Sequence, residues 1–161
     1  FTSDHGLAAG SHGLCGKQNQ YDHTLRVPLL ISGPGILAGR TTAMVYLREL
    51  FPTSCDLAGI EIPPSVTGRS FADVLRGESE GHHEAVFGCF TDSQRSIETD
   101  DGWKLVSYPK SDRWQLFDLR ADPMECNDLA KDGHPRLAEL KARLKTWQES
   151  MRDPILRNTE E

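Results

Sequence analysis

The sequence has no apolar run approaching the roughly 20 residues that a membrane-spanning helix needs, so no membrane span is expected. It also lacks a basic excess. Lys and Arg number 18 against 24 Asp and Glu, for a net charge of −6 with the two signs intermixed, and a nucleic-acid surface needs a basic stripe. An anionic substrate is still admissible, provided that positive charge is supplied locally. Cysteine is sparse and irregular: residues 15, 55, 89 and 126 form no Cys-x-x-Cys unit, which argues against a zinc ribbon and for free thiols. Aromatic residues are 7% of the chain and form no stripe suited to carbohydrate; Trp103 and Trp114, at strand starts, are read as core or rim packing.

What is present begins at once. Phe1-Thr2-Ser3 runs into Asp4-His5-Gly6, an acid and an imidazole side by side in a turn, and Gly16-Lys17 follows after a loop with four glycines from Gly6 to Gly16. Asp4 and His5 offer an oxygen and a nitrogen ligand to a hard cation, and Lys17 offers a charge to an anion. His12, in the same loop, is a candidate proton donor. Arg26–Ser32, closed by Gly33-Pro34-Gly35, is almost continuously apolar and predicts a strand covered on both faces. Leu50–Leu57 predicts a helix with Pro52 in its first turn and Gly59 just past its end, and Ser70–Arg76 a second helix stopped by Gly77.

From Ala85 the period changes. Ala85–Thr91, Arg95–Thr99, Trp103–Tyr108 and Trp114–Leu119 are short runs rich in aromatic and branched residues between polar turns, which predicts a four-stranded antiparallel meander. Leu137, Leu140, Leu144, Trp147 and Met151 then repeat at intervals of 3 and 4 on an otherwise charged helix, whose apolar stripe should lie on that sheet. His23, Arg26, Arg95 and Lys104 are read as structural, and His82-His83 as a surface pair with no second ligand pattern in reach.

Asp4-His5-Gly6, Gly13-Leu14-Cys15-Gly16-Lys17, Tyr21-Asp22, Arg26–Ile31, Leu50-Phe51-Pro52-Thr53, Asp56–Ile60, Gly68-Arg69-Ser70, Trp103-Lys104-Leu105, Leu116–Leu119 and Asp122–Glu125 occur in an order that resembles the C-terminal portion of the type I sulfatase family, within the alkaline-phosphatase superfamily. The resemblance implies an α/β fold: part of a mostly parallel sheet core in residues 1–80, then the small antiparallel sheet packed by a long terminal helix in 81–161. The chain is then expected to be the end of a longer enzyme.

The same resemblance implies that Asp4 and His5 are calcium ligands, that Lys17 contacts the sulfate group, and that the reaction is hydrolysis of a sulfate ester, on a small molecule or a sulfated glycan. The nucleophile would be a formylglycine made in a Cys/Ser-x-Pro-x-Arg motif, hydrated to a gem-diol. That motif does not occur in this sequence, so the nucleophile is expected upstream and the chain alone is expected to be inactive. Two other readings stand beside this one: a phosphonate monoester or phosphodiester hydrolase of the same superfamily, and a non-catalytic module that borders substrate. An exported or periplasmic location follows from the resemblance alone. An uncovered apolar edge at Arg26–Ser32 is expected to promote self-association.

Overall fold

The structure, a computed structural model, describes residues 1–157. In chain order the elements are β1 (Ala8–Ala9), β2 (Cys15–Gly16), α1 (Asp22–Leu25), α2 (Leu50–Leu57), α3 (Ala72–Arg76), β3 (Ala85–Phe90), β4 (Gln94–Thr99), β5 (Trp103–Tyr108), β6 (Arg113–Asp118), α4 (Pro135–Ser150) and α5 (Pro154–Arg157). They fall into two compact units, one of Phe1–Asp4 with Pro28–Val86 and one of His5–Val27 with Phe87–Glu161. No helix among the described residues is long and apolar enough to cross a membrane.

In the first unit the helix over 50–57 forms as expected. Beyond its last turn Gly59 takes a left-handed φ of 67°. That conformation lets Ile60 N–H reach Cys55 O (2.9 Å) and Gly59 N–H reach Asp56 O (3.1 Å), a Schellman closure that satisfies two end carbonyls. The second helix stops in the same way at Gly77. Thr53 ties the two together, its hydroxyl donating to Glu49 O (2.6 Å) and accepting from Phe71 N–H (3.1 Å), with Phe71 and Ala72 buried beside it.

Arg26–Ser32 is not the buried strand that its composition predicts. Only Thr2 and Leu29 form a bridge, with Phe1 and Leu30 exchanging backbone hydrogen bonds, and Leu30 is 60% exposed. A strand needs a ladder of paired residues, and an isolated bridge does not supply one.

In the second unit the meander forms in the order β3-β4-β5-β6. Ile97 pairs with Leu105 and Leu105 with Leu116, a row of three side chains with no exposure, all on one face because side chains alternate along a strand. α4 packs on β4 and β5. Its Leu140 and Leu144 are fully buried, worth about 1.5–3 kcal/mol each. Trp147 stacks on Phe87 with ring centroids 4.8 Å apart. The stripe ends sooner than its spacing predicts: α4 stops at Ser150, and Met151 is 62% exposed.

Trp103 packs against His134 and carries Arg136 over its ring, and Trp114 carries Lys141, so both indoles serve the seam between sheet and helix. Past α4, Arg95 grips Asp153 through Nε and Nη2 (2.7 and 2.8 Å), and this holds the Asp153 carboxyl down at about 2.

The opposite face of the sheet carries Lys104, Val106 and Phe117. Tyr21 covers it, clustered with Val106 and Phe117, and its hydroxyl donates to Gln115 (3.0 Å). Residues 19–25 therefore lie on the sheet as a second cover. That accounts for buried side chains on both faces of β5. All four cysteines are free thiols.

Candidate active-site loop

The glycine-rich loop is organised by the β1–β2 hairpin. Ala8 pairs with Gly16 and Ala9 with Cys15, a register that returns Lys17 to the neighbourhood of His5. The link is direct: Lys17 Nζ is 2.6 Å from His5 Nε2. His5 Nδ1 is 2.8 Å from Gly6 O, a carbonyl that can only accept, so the ring proton sits on Nδ1 and Nε2 turns its lone pair to the ammonium.

Gly6 has to be glycine for a separate reason. Its N–H donates to Thr24 O (2.8 Å), and a Cβ on Gly6 would stand 2.1 Å from His23 O, so only a bare α-carbon lets the Asp4-His5-Gly6 turn lie against α1. Asp4 is exposed at the loop entry, with Ser3 Oγ 3.4 Å from its Oδ1.

His12 belongs to a different group. It stands at the hairpin tip in a left-handed conformation (φ 55°), stacked on Tyr21 at 4.0 Å with planes 3° apart. Its Nε2 donates to Met124 O (3.0 Å), which leaves Nδ1 for other chemistry. His23 continues the stack 5.5 Å from His12. Burial, and then the His12 charge, hold its pKa below the usual imidazole range, and its Nε2 is buried without a hydrogen-bond partner.

Beneath this loop lies a charged cluster. Lys104, fully buried, places Nζ 2.6 Å from Asp22 Oδ1 and 2.8 Å from Glu125 Oε1, the latter an ion-pair contact outside hydrogen-bond alignment. Glu125 Oε2 accepts from Asp22 N–H (2.7 Å) and so caps α1. Burial pushes Lys104 down, but the carboxylates of Asp22, Glu125 and Glu98 outweigh it and hold the ammonium above its ordinary range. Glu98 shares the cluster. Burial first, and then the Asp22 charge, raise its pKa to about 7.

The family described as N-sulphoglucosamine sulphohydrolase, C-terminal, matches residues 10–154. The chain belongs to that family. The matched residues of this sulfatase C-terminal family include His12 and Lys17, whereas Asp4 and His5 precede them. Arylsulfatase K of Mus musculus is 33% identical over 146 residues, covering 82% of this chain and 26% of that protein. Choline-sulfatase of Rhizobium meliloti is 36% identical over 137 residues, covering 82% and 27%. A solved structure described as a complex with its substrate D-glucosamine-2-N,6-O-disulfate superposes with a TM-score of 0.82 at 27% identity, over 95% of this chain and 34% of that one. The chain thus spans about a quarter to a third of the length of these sulfatases.

One group of residues escaped the sequence reading. His82 and His83 are not an isolated surface pair: both imidazoles converge on Glu49, which lies just ahead of α2 and is 1% exposed. A separation of 33 residues with no repeat leaves no spacing signal, and only the folding of the first unit joins them.

Proposed function

We propose that this chain is the C-terminal part of a sulfatase that hydrolyses the sulfate ester of a small molecule or a sulfated glycan, and that Lys17 is its sulfate-binding and charge-neutralising residue. The observation that carries the reading is the 2.6 Å contact between Lys17 Nζ and His5 Nε2, made across a hairpin in a chain of this family. Without substrate, His5 Nε2 accepts one N–H of the ammonium and holds Lys17 at the loop. Drawn to a sulfate group, the Lys17 N–H groups are donors for its oxygens, and they favour the charge that grows on those oxygens as the ester bond breaks.

His12 is the proton donor in this reading. With Nε2 held by Met124 O, a protonated His12 ring has Nδ1–H to give to the leaving oxygen, and Tyr21 keeps the ring plane fixed.

Asp4 and His5 suit the calcium that the family implies: a carboxylate oxygen, and an Nε2 lone pair whose present partner, Lys17, is a flexible side chain that a sulfate group can draw away. A bound calcium would supply positive charge to the sulfate oxygens. Two donors are a minority of the roughly 6–8 that calcium takes, so the others come from residues beyond these, as does the formylglycine nucleophile. Residues 1–80 then continue the catalytic α/β core, residues 81–161 form the flanking subdomain, and the chain alone is inactive.

The test is Lys17→Ala in the full-length protein, with p-nitrophenyl sulfate as substrate. The expected loss in kcat/KM is at least about 100-fold, the scale of removing one charge-stabilising donor, with unchanged circular dichroism. A loss within twofold removes Lys17 from the reaction.

A further inference from the structure

The first unit holds a second cluster, which the sulfatase reading does not use. Glu49, His82 and His83 each offer one ligand atom, and these atoms all lie within 4.8 Å of one another. His83 Nε2 is 2.8 Å from Glu49 Oε1, and His82 Nε2 is 3.3 Å from Glu49 Oε2. Ligands held at about 2.0–2.1 Å around a tetrahedral ion stand roughly 3.3 Å from each other, so these spacings need little adjustment to accept one.

The cluster is built rather than incidental. The side chains of Glu49 and His82 are each 2% exposed. The rings of His82 and His83 meet edge to face at 4.4 Å, Phe71 packs on the edge of His82, and Tyr46 on that of His83. His83 is further pinned by its backbone bridge to Met44, and the Arg69 guanidinium holds the His82 carbonyl. Glu49 is oriented by accepting from Tyr46 N–H (2.9 Å).

The decisive atom is His82 Nε2. It is buried and aimed at the Glu49 carboxylate, yet it makes no hydrogen bond, because the 3.3 Å approach lacks the alignment. A buried polar atom without a hydrogen bond is costly and calls for a partner such as an ion.

We propose that Glu49, His82 and His83 form a binding site for a divalent transition-metal ion, zinc foremost, with a fourth position left to water. Two imidazoles and one carboxylate are nitrogen and oxygen donors of intermediate softness, which suit zinc and not calcium. The ion would clip the segment entering α2 to the segment entering β3. On binding, the proton that His83 Nε2 now shares with Glu49 leaves to solvent or moves to Nδ1, and the freed lone pair joins the metal.

The experiment uses the full-length protein, stripped with EDTA, dialysed and titrated with zinc against a chromophoric chelator. One equivalent should bind, and His82→Gln with His83→Gln should weaken it by more than the roughly 10–100-fold that outer partners of a metal site typically contribute. His5→Ala should leave that equivalent intact, which separates this site from the sulfate-binding loop. Equal zinc binding by wild type and the double variant overturns the proposal, as does loss of the equivalent in His5→Ala. If the double variant fails to fold, cobalt(II) added to the stripped wild type decides. Intense visible bands of a four-coordinate ion support the site, and the weak spectrum of a six-coordinate aquo ion overturns it.

Discussion

Lys104 Nζ lies 2.6 Å from Asp22 Oδ1, and its side chain has no exposure at all. The pair joins the middle of the sheet to the first turn of α1, the helix on which the Asp4-His5-Gly6 turn rests. Lys104→Met should destabilise the protein by about 3–5 kcal/mol, because it leaves Asp22 and Glu125 as buried charges without their cation. Adding Asp22→Asn and Glu125→Gln should recover a large part of that loss, since the uncompensated charge is gone. Urea unfolding followed by tryptophan fluorescence measures both. A loss under 1 kcal/mol for the single variant would show that the cluster is solvated.

Glu98 makes the same cluster sensitive to pH. Its carboxyl is raised to about 7 by burial and by Asp22, so the folded protein keeps a proton that the unfolded chain gives up near pH 4.3. Between those two values the native state binds more protons than the unfolded one, and the contribution of Glu98 to stability falls as pH rises. Its full penalty is present above about pH 7. Glu98→Gln should remove this slope and raise stability at pH 8 by up to about 3 kcal/mol. Denaturation midpoints at pH 5 and pH 8 give the answer, and an unchanged slope in the variant would assign the titration to another group.

Gly6→Ala tests the seat of the turn. The added methyl would stand 2.1 Å from the His23 carbonyl oxygen, so the backbone must move, at about 1–3 kcal/mol. Because His5 and its hydrogen bond to Gly6 O move with it, the sulfatase activity proposed for the full-length protein should fall further than the lost folded fraction explains. Activity that tracks the folded fraction alone would detach this turn from the chemistry.

Much of the second unit could be read directly. β5 has the bounds its pattern predicts, β3 and β4 differ by a residue at one end, and β6 is shifted by one residue at both ends, because alternating branched and aromatic residues between Asp- and Gly-rich turns leave few other arrangements. The stops at Gly59 and Gly77 were equally plain, since a left-handed residue after a helix is a local property of the backbone. Arg26–Ser32 misled for the complementary reason. Its composition is that of a buried strand, but strand formation is a property of a pair. The loop residues were legible as chemistry and not as geometry: nothing in the sequence distinguishes Lys17, which reaches His5, from His12, which turns to Tyr21 and Met124.

The amino-acid order by itself determined the elements of the meander, the terminal helix and its buried leucines, and the family, because these depend on neighbours within a few residues or on motifs in series. Only the tertiary structure decided that Asp22 and Glu125, far apart in the chain, share one buried lysine, and that Glu49 receives two imidazoles from 33 and 34 residues away. Interactions of that kind are set by which faces the packing brings together. Side-chain electrostatics in a buried site depends on distance in space, for which separation along the chain is no guide.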